Sequence, residues 1–397
     1  MDFSAGATKP SSRLQRMSSV RRQLFPVSSN SANTSAPSIH RFCIKRRKEL
    51  WAVLVVAVFV IVQINRIPVD DYEILTADRT TDAVSNDMEA SLGRERLVKI
   101  LQEAGINNMT VSDISTLPKW KQIEDLYGSK PVILGLEKCA EFRKKVPSSQ
   151  RYIGTAGNFN SGTTAFGISL ADNCRFPDHV QNISNDVVQD VNGMLSQVPW
   201  AKHKAAYRRN NHTIEERIIK DHVLPVVLAR DPYRWMASMC VQGYGVRWSH
   251  DPKHCPNLVP TDYDRRRFKN LQNKKSVPVH MGGGITFPSL VHYWNDWYYS
   301  YLTADFPRLI IRFEDTLFRS VEVMEQVCKC AGGETRPKFL YHVGEAKKHA
   351  HKQNNFISAM IKYGTAKDRF RNMTEEDLLY ARNNLNPKLM SALRYKH

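Results

Sequence analysis

The chain has 397 residues, of which 42% are hydrophobic and 24% are charged, so it can build a large core and is neither collagen-like nor disordered throughout. Its 57 basic and 39 acidic residues give a formal net charge of +18, which indicates an anionic partner. Nucleic acid, a membrane surface, a nucleotide and an acidic sugar all qualify until the position of the charge is considered.

The N-terminal region combines a basic tail with an apolar run. Residues 1–49 hold ten basic and two acidic residues among many Ser, Asn, Ala and Pro, so we expect a disordered cytosolic tail. The apolar residues 50–67 follow a Lys/Arg cluster and predict one transmembrane signal anchor of type II orientation. A luminal stem with helical segments (68–130) and the main luminal domain (131–397) would follow. Because the basic tail abuts a membrane in this arrangement, we expect no nucleic-acid partner.

Cysteines and sequons also favour a luminal domain. Six cysteines follow the apolar run, and an even number in a secretory compartment predicts disulfides. Residues 241–289 are polar and Gly-rich, so we expect them to form an insertion over the sheet edge. Cys240 and Cys255 flank the first part of this insertion, which is rich in Gly, Tyr and Trp, so we expect them to pair, while the pairing of the other four stays open. N-glycosylation sequons occur at Asn108, Asn182, Asn211 and Asn372.

Strand-like and helix-like segments alternate after residue 150. Residues 151–154 lead through a Gly/Asn/Ser turn into the apolar run 165–170, and residues 224–229 have the continuous apolar character of a strand buried on both faces. Residues 308–313 are a similar run, followed by a helical stretch at 320–330. This alternation predicts a three-layer α/β domain with a parallel sheet.

Residues 157–164, GNFNSGTT, have the spacing of a loop that binds phosphate between a strand and a helix. Gly157 and Gly162 allow the backbone to turn its N–H groups inward, and Thr163 and Thr164 add hydroxyl donors. Thr163 replaces the lysine that reaches a γ-phosphate, so we expect a nucleotide without a γ-phosphate and no required metal. The alternative is an ordinary turn.

Residues 224–240, LPVVLARDPYRWMASMC, form the second motif. A strand ends at Arg230-Asp231-Pro232, and a helix with proline in its first turn continues through Ser238. Arg230 would then lie at the carboxyl edge of the sheet, where open α/β sheets bind ligands, with Ser238 two turns along the helix. The alternative is that Arg230 is a structural ion-pair partner.

The two motifs together resemble those of the PAPS-dependent sulfotransferase superfamily, a P-loop-like α/β fold, and the predicted topology points to its Golgi membrane members. The resemblance covers residues 150–395 sparsely. It implies that the 5′-phosphosulfate of PAPS is held by Gly157, Asn160, Ser161, Gly162, Thr163 and Thr164, and the 3′-phosphate by Arg230 and Ser238. Residues 362–369 are placed like the family's basic glycine loop, which implies that Lys362, Gly364 and Arg369 close on the 3′-phosphate.

The implied activity is transfer of a sulfuryl group from PAPS, without a metal, to a hydroxyl of a glycan or proteoglycan-like chain in the Golgi lumen. Such a transfer needs a base for the acceptor hydroxyl and a cation on the leaving phosphate. His203 fits the slot of the family's histidine base, and its lysine neighbours should lower its pKa. Glu215 and Glu216 are alternative bases. Many family members have Lys or Arg where this chain has Asn160, so Lys202 or Lys204 would have to supply the cation.

Two other functions stay open. Asp262 and Asp264 form a D-x-D triplet, the metal-binding pattern of Golgi glycosyltransferases, although three arginines follow it. The chain could also bind phosphoadenosine or a glycan without catalysis, since Asn160 cannot neutralise a leaving group. Finally, Trp294, Trp297 and Tyr298 recur at helical spacing, which indicates core packing rather than a sugar platform.

Overall fold

The computed structural model describes residues 92–178, 197–343 and 355–397. They belong to one compact unit, residues 77–397; a second unit, residues 1–76, lies outside the described residues. The predicted tail and anchor therefore fall outside them as well. The helices are α1 (Glu95–Glu103), α2 (Val111–Thr116), α3 (Trp120–Tyr127), α4 (Cys139–Lys145), α5 (Thr163–Asn173), α6 (Pro232–Val241), α7 (Asp262–Arg267), α8 (Leu290–Leu302), α9 (Phe313–Phe318), α10 (Ser320–Ala331), α11 (Phe356–Gly364), α12 (Glu375–Asn384) and α13 (Pro387–Leu393).

The strands form three sheets. They are β1 (Ile133–Leu134), β2 (Tyr152–Gly157), β3 (Cys174–Arg175), β4 (Val223–Ala229), β5 (Val246–Arg247), β6 (Val279–Met281), β7 (Thr286–Phe287), β8 (Leu309–Arg312) and β9 (Glu334–Thr335). The central sheet has the order β1-β8-β4-β2, a two-stranded sheet joins β3 to β9, and β5-β6-β7 form a small sheet within the insertion.

The prediction of a parallel sheet is wrong, because one of the four strands of the central sheet, β1, runs antiparallel. β2, β4 and β8 run parallel, but β1 pairs antiparallel with β8, with Ile133 opposite Ile311, so the sheet is mixed. An antiparallel strand at the edge of an otherwise parallel sheet is common, and the short β1 carries no pattern that a sequence reading detects. The predicted transmembrane helix is not found either: no helix among the described residues is long and apolar enough to cross a membrane, and residues 50–67 are not described.

Side chains of β4 alternate between two cores. Val223, Val227 and Ala229 pack on the face that holds the aromatic side chains of α8. Leu224, Val226 and Leu228 pack on the other face, with residues from α4, α5 and α10. This double burial explains the uninterrupted apolar run of β4.

Local signals fix the helix ends around the sheet. Asp231 caps α6 by accepting hydrogen bonds from the backbone N–H groups of Tyr233 and Arg234, and Pro232 begins the helix. Gly332, with φ of +83°, ends α10.

Six cysteines form three disulfides, which confirms the predicted pairing of Cys240 with Cys255. The other two bonds join α10 to its neighbours, through Cys139–Cys330 and Cys174–Cys328. They hold α4 and β3 beside α10. The disulfide at Cys240 instead ties the end of α6 to the insertion.

Candidate functional site

The loop between β2 and α5 is a tight turn at the carboxyl edge of the sheet. Gly162 has φ of +88° and Asn160 has φ of +58°, both in the left-handed region. A Cβ atom at Gly157 would lie 2.3 Å from Ser161 Oγ, so this position admits only glycine. The buried Ser161 hydroxyl donates to the carbonyl of Asn158 at 2.7 Å. The turn therefore brings the N-terminus of α5, which begins at Thr163, to the end of β2, where its positive dipole faces the sheet edge.

Arg230 meets this loop directly. Its Nη1 donates to the carbonyl of Asn160 at 2.5 Å, and its Nη2 donates to the Tyr363 hydroxyl. The side chain is buried, with 2% exposure, and its Nε has no hydrogen-bond partner. The two sequence motifs, 70 residues apart, therefore lie in contact.

Arg230 has no carboxylate in salt-bridge contact, although the nearby charges of Glu314 and Asp231 act on it. Among the described residues it forms no ion pair; Asp231 is bound to Arg369, and Glu314 accepts from the Asp231 N–H and the Tyr395 hydroxyl. Burial lowers the pKa of Arg230 to about 10, although the charge of Glu314 opposes the shift. The group stays protonated at neutral pH, so a buried cation has no ion-pair partner in the part of the chain that the structure describes, which is costly.

A second buried cation, Arg234, lies beside the first. Its Nη2 donates to the carbonyls of Thr365 (2.5 Å) and Lys367 (3.0 Å), its Nε has no hydrogen-bond partner, and it too lacks an ion pair in the described part of the chain. The Tyr363 ring lies between the two arginines, with its centroid 4.8 Å from the Arg230 guanidinium carbon and 5.8 Å from that of Arg234. Two like charges thus flank one aromatic ring.

Asn160 joins the loop to α6. Its side-chain amide donates to the carbonyl of Gln242 at 2.8 Å and lies 3.4 Å from the carbonyl of Ser238. Ser238 is buried, and its hydroxyl donates to the carbonyl of Arg234 within the helix. The structure therefore places Asn160, Arg230 and Ser238 together, and Asn160 links backbone segments instead of presenting a charge.

Lys202 and His203 reach the same loop from the segment before β4. Lys202 is 3% exposed, and its Nζ lies 3.3 Å from Thr164 Oγ1 in the first turn of α5. The ammonium thus adds positive charge at the already positive end of the helix. His203 Nδ1 lies 2.7 Å from the carbonyl of Gly157. Because a carbonyl only accepts, Nδ1 must carry the proton, and Nε2 is then the basic nitrogen of the neutral ring.

The predicted C-terminal loop divides between two environments. Arg369 donates two hydrogen bonds to Asp231, at 2.9 and 2.7 Å, and is buried in this ion pair. Gly364 ends α11, and a Cβ atom there would lie 2.3 Å from Pro118 Cγ, so it serves close packing. Lys362 is exposed, with its Nζ 5.7 Å from the Tyr363 ring. The contact of Lys362, Gly364 and Arg369 with a phosphate stays a prediction. The residue of this segment that binds Arg230 is Tyr363, through its hydroxyl.

Side chains of helix α8 donate hydrogen bonds to the backbone of these site segments. The indoles of Trp294 and Trp297 donate to the carbonyls of Arg230 (3.2 Å) and His203 (3.1 Å), and the Tyr298 hydroxyl donates to the carbonyl of Leu228 (2.9 Å). All three rings are buried, as the helical spacing predicted. They hold backbone segments of the site in place and face no solvent-exposed sugar surface.

One aspartate of the D-x-D triplet, Asp264, has a structural role. Asp264 is buried, caps α7 and accepts from His254 Nδ1, while His254 Nε2 bonds Asp377. Burial by itself lowers the pKa of His254, but its bonds to Asp377 and Asp264 outweigh this and raise the pKa to about 9. Among the described residues no cluster of three acidic, His or Cys side chains is arranged for a metal ion.

A cavity of about 260 Å³ lies at the opposite edge of the sheet, near Val223 at the start of β4. Its charged lining includes Arg209 and Lys145, which both pair with Asp221. It is separate from the residues of the two motifs.

Sequence reasoning missed Arg234 and Tyr363. Arg234 is four residues after Arg230 and four before Ser238, so helical spacing could have placed it on the same side. Tyr363 carried no local signal, because its contact with Arg230 spans 133 residues.

Comparison with protein-family models, with curated proteins and with solved structures found no match for this chain. Support for a function comes from its own residues and their contacts.

Proposed function

We propose that this protein transfers a sulfuryl group from PAPS to a hydroxyl of a glycan in the Golgi lumen. The observation that carries the proposal is the pair of buried arginines, Arg230 and Arg234, beside a strand–turn–helix anion loop; neither forms an ion pair with a carboxylate of the described residues. Uncompensated buried cations at the carboxyl edge of a sheet are typical of a site for a phosphorylated ligand. Three disulfides support a secretory compartment.

The residues present fit a nucleotide with anions at both ends. In this proposal the 157–164 loop, the N-terminus of α5 and Lys202 hold the 5′-phosphosulfate. Arg230, Arg234 and Ser238 hold the 3′-phosphate, and the two arginines use the Nε donors for which the described residues provide no acceptor. Arg230 Nη2 donates to the Tyr363 hydroxyl in the structure, so the Tyr363 side chain must move away when a phosphate binds this nitrogen.

The proposed reaction is an in-line displacement at sulfur. His203 Nε2 accepts the proton of the acceptor hydroxyl, and the hydroxyl oxygen forms a bond to sulfur as the bond from sulfur to the 5′-phosphate oxygen breaks. The electron pair of that bond leaves with 3′,5′-bisphosphoadenosine. Lys202 stabilises the charge on this leaving group, which Asn160 cannot do. The carbonyl of Gly157 holds the imidazole in the required tautomer.

The test is transfer of labelled sulfate from PAPS by the full-length chain, made in a eukaryotic secretory host and solubilised in detergent, to a panel of glycans. Arg230→Ala and Lys202→Met should each lower the rate by about 100-fold or more. Ser161→Ala should lower it less, since it removes one hydroxyl. Lys144→Met is the control, because Lys144 is exposed on α4 and belongs to no part of the proposed site. Activity should survive EDTA.

Failure of the folded wild type both to transfer sulfate and to bind 3′,5′-bisphosphoadenosine would contradict the proposal. Binding without transfer to any acceptor would favour a non-catalytic relative, the alternative that Asn160 keeps open. Loss of activity on EDTA treatment and dependence on a sugar nucleotide would favour a glycosyltransferase, although Asp264 is already engaged by His254 and α7.

A further inference from the structure

Three aromatic rings lie together where the 157–164 loop meets the insertion. The Phe159 ring is 4.5 Å from the His203 ring and 5.1 Å from the Tyr244 ring, measured between centroids. Tyr244 stacks on Phe159 with an angle of 16° between the planes. A continuous aromatic surface therefore leads from the insertion to the proposed base.

The inner part of this surface is firmly held. The backbone N–H of Phe159 donates to Asn158 Oδ1 at 2.8 Å, and its carbonyl accepts from the Trp235 indole at 2.7 Å. The Asn160 amide, one residue on, binds the carbonyl of Gln242, two residues before Tyr244. The Cys240–Cys255 disulfide anchors the same stretch of chain to the insertion. The relative position of the two rings is thus set by bonds on both sides.

The outer ring is exposed in a backbone conformation that tyrosine rarely adopts. Tyr244 is 47% exposed and has φ of +53°, between Gly243 and Gly245. Holding a non-glycine residue in the left-handed region costs on the order of 1 kcal/mol or more. Such strain on an exposed aromatic residue gives no packing benefit in the core. Strain of this kind concentrates at ligand-binding positions.

We propose that Tyr244 and Phe159 form the acceptor subsite, in which the exposed face of Tyr244 packs against the C–H face of a pyranose ring. This inference rests on the proposed function. The sugar would lie beside His203, so that one of its hydroxyls, or one on the adjoining sugar, reaches the base. An aromatic face provides rigid contact area at low entropic cost and leaves the sugar hydroxyls accessible.

An acidic glycan fits the surroundings best. Lys204 and Arg247, which follow His203 and Tyr244 closely in the chain, are exposed cations. The residues after the basic tail also keep an excess of positive charge. Carboxylates on neighbouring sugars would be attracted to this surface, which makes an unsulfated chondroitin tetrasaccharide a suitable probe.

The test measures, by calorimetry, the equilibrium binding of this tetrasaccharide to the full-length chain in detergent. 3′,5′-Bisphosphoadenosine is present throughout. Tyr244→Ala should weaken binding about tenfold, and Tyr244→Phe should bind like the wild type, because the ring face makes the contact. Tyr263→Ala is the matched control: Tyr263 has similar exposure, 45%, and lies elsewhere in the insertion. Nucleotide affinity and the thermal midpoint should be unchanged in all three variants.

Unchanged tetrasaccharide binding by Tyr244→Ala, or a loss in Tyr244→Phe as large as in Tyr244→Ala, overturns the subsite. So does preference for an acidic tyrosine-containing peptide over the tetrasaccharide, or binding of neither. The assay needs no turnover, so it separates the two proposals: Tyr244-dependent glycan binding without sulfate transfer supports the subsite and contradicts the activity, while transfer with a Tyr244-independent acceptor KM does the reverse.

Discussion

Two neighbouring strands each end in a buried arginine, and the two arginines are treated in opposite ways. Arg312 closes β8 and lies opposite Ala229, the residue before Arg230, in the parallel pairing with β4. Arg312 binds both carboxylate oxygens of Asp315, at 2.6 and 2.9 Å, and also donates to the carbonyl of Tyr127. Arg230 instead donates to a carbonyl and a phenol, and among the described residues it binds no carboxylate.

The electrostatic consequence is a difference in pKa. Burial opposes the charge of Arg312, but Asp315 more than compensates and raises its pKa above the ordinary value. Burial without such a partner lowers the pKa of Arg230 to about 10. A buried arginine that contributes only to the fold has its carboxylate in the same chain. An arginine held without one is available to an anion from outside, and this contrast separates a structural from a binding role.

The largest expected effect is a loss of stability when the structural arginine, Arg312, is replaced. Arg312→Met leaves the buried Asp315 with one ion-pair partner, Arg319 at 3.0 Å, and the Val132 N–H as a hydrogen-bond donor, so we expect a loss of about 3 kcal/mol in the free energy of unfolding. Chemical denaturation of the purified full-length protein in detergent measures it. Arg230→Met is the matched variant and should change the same quantity by less than about 1 kcal/mol, since no carboxylate loses a partner. Equal losses in the two variants would remove the distinction.

A smaller effect is expected on nucleotide affinity, through the Tyr363 hydroxyl that binds Arg230. Tyr363→Phe removes the hydroxyl that accepts from Arg230, so a phosphate no longer competes with it. We expect the affinity for 3′,5′-bisphosphoadenosine to rise about fivefold, the equivalent of one hydrogen bond of about 1 kcal/mol. Calorimetric titration measures the change. Tyr341→Phe, which removes a hydroxyl that binds Glu103, is the control, and a lower affinity in Tyr363→Phe would show that the phenol assists the ligand.

The smallest effect concerns the pH dependence of stability and Glu314, the residue whose charge acts on both arginines. Burial, with the negative charge of Asp231, raises the pKa of Glu314 to about 7 from its ordinary 4.5. The folded state therefore holds a proton that the unfolded state releases, and the stability from this group is complete below about pH 4.5 and is lost as pH rises through about 7. Glu314→Gln keeps an acceptor for the Asp231 N–H, and its amide NH2 can donate to the Tyr395 hydroxyl, which still has the Ala229 carbonyl as an acceptor, so this variant should flatten the decline.

Denaturation at pH 5, 6, 7 and 8 for the wild type and Glu314→Gln measures the difference. Other titrating groups affect both proteins alike, so only the difference between the two curves matters. Parallel curves over the whole range would contradict the raised pKa.

Local elements of the site were predictable because short-range physics determines them. The turn at 157–164, the strand ending before Arg230 and the helix starting at Pro232 depend on glycine dihedrals, apolar runs and proline, all visible in a few consecutive residues. The Cys240–Cys255 bond spans 15 residues and was predicted on the same local grounds. The antiparallel β1 was missed because two apolar residues after a proline do not specify a pairing partner or its direction.

The partners of the charged residues were not predictable. Arg369 was assigned to a phosphate from its place in a basic glycine loop, and in the structure it pairs with Asp231, 138 residues away. The sequence also left open an ion pair for Arg230, and none exists among the described residues.

The amino-acid sequence by itself determined the turn, the strand and the helix that present the site, since backbone dihedrals and apolar periodicity act over a few residues. The bond of Arg312 to Asp315 is local as well, since it spans three residues. Only the tertiary structure decided the partners of Asp231 and Arg230. That choice depends on contacts between segments more than 100 residues apart, such as Asp231 with Arg369 and Arg230 with Tyr363, which arise only when the core brings those segments together.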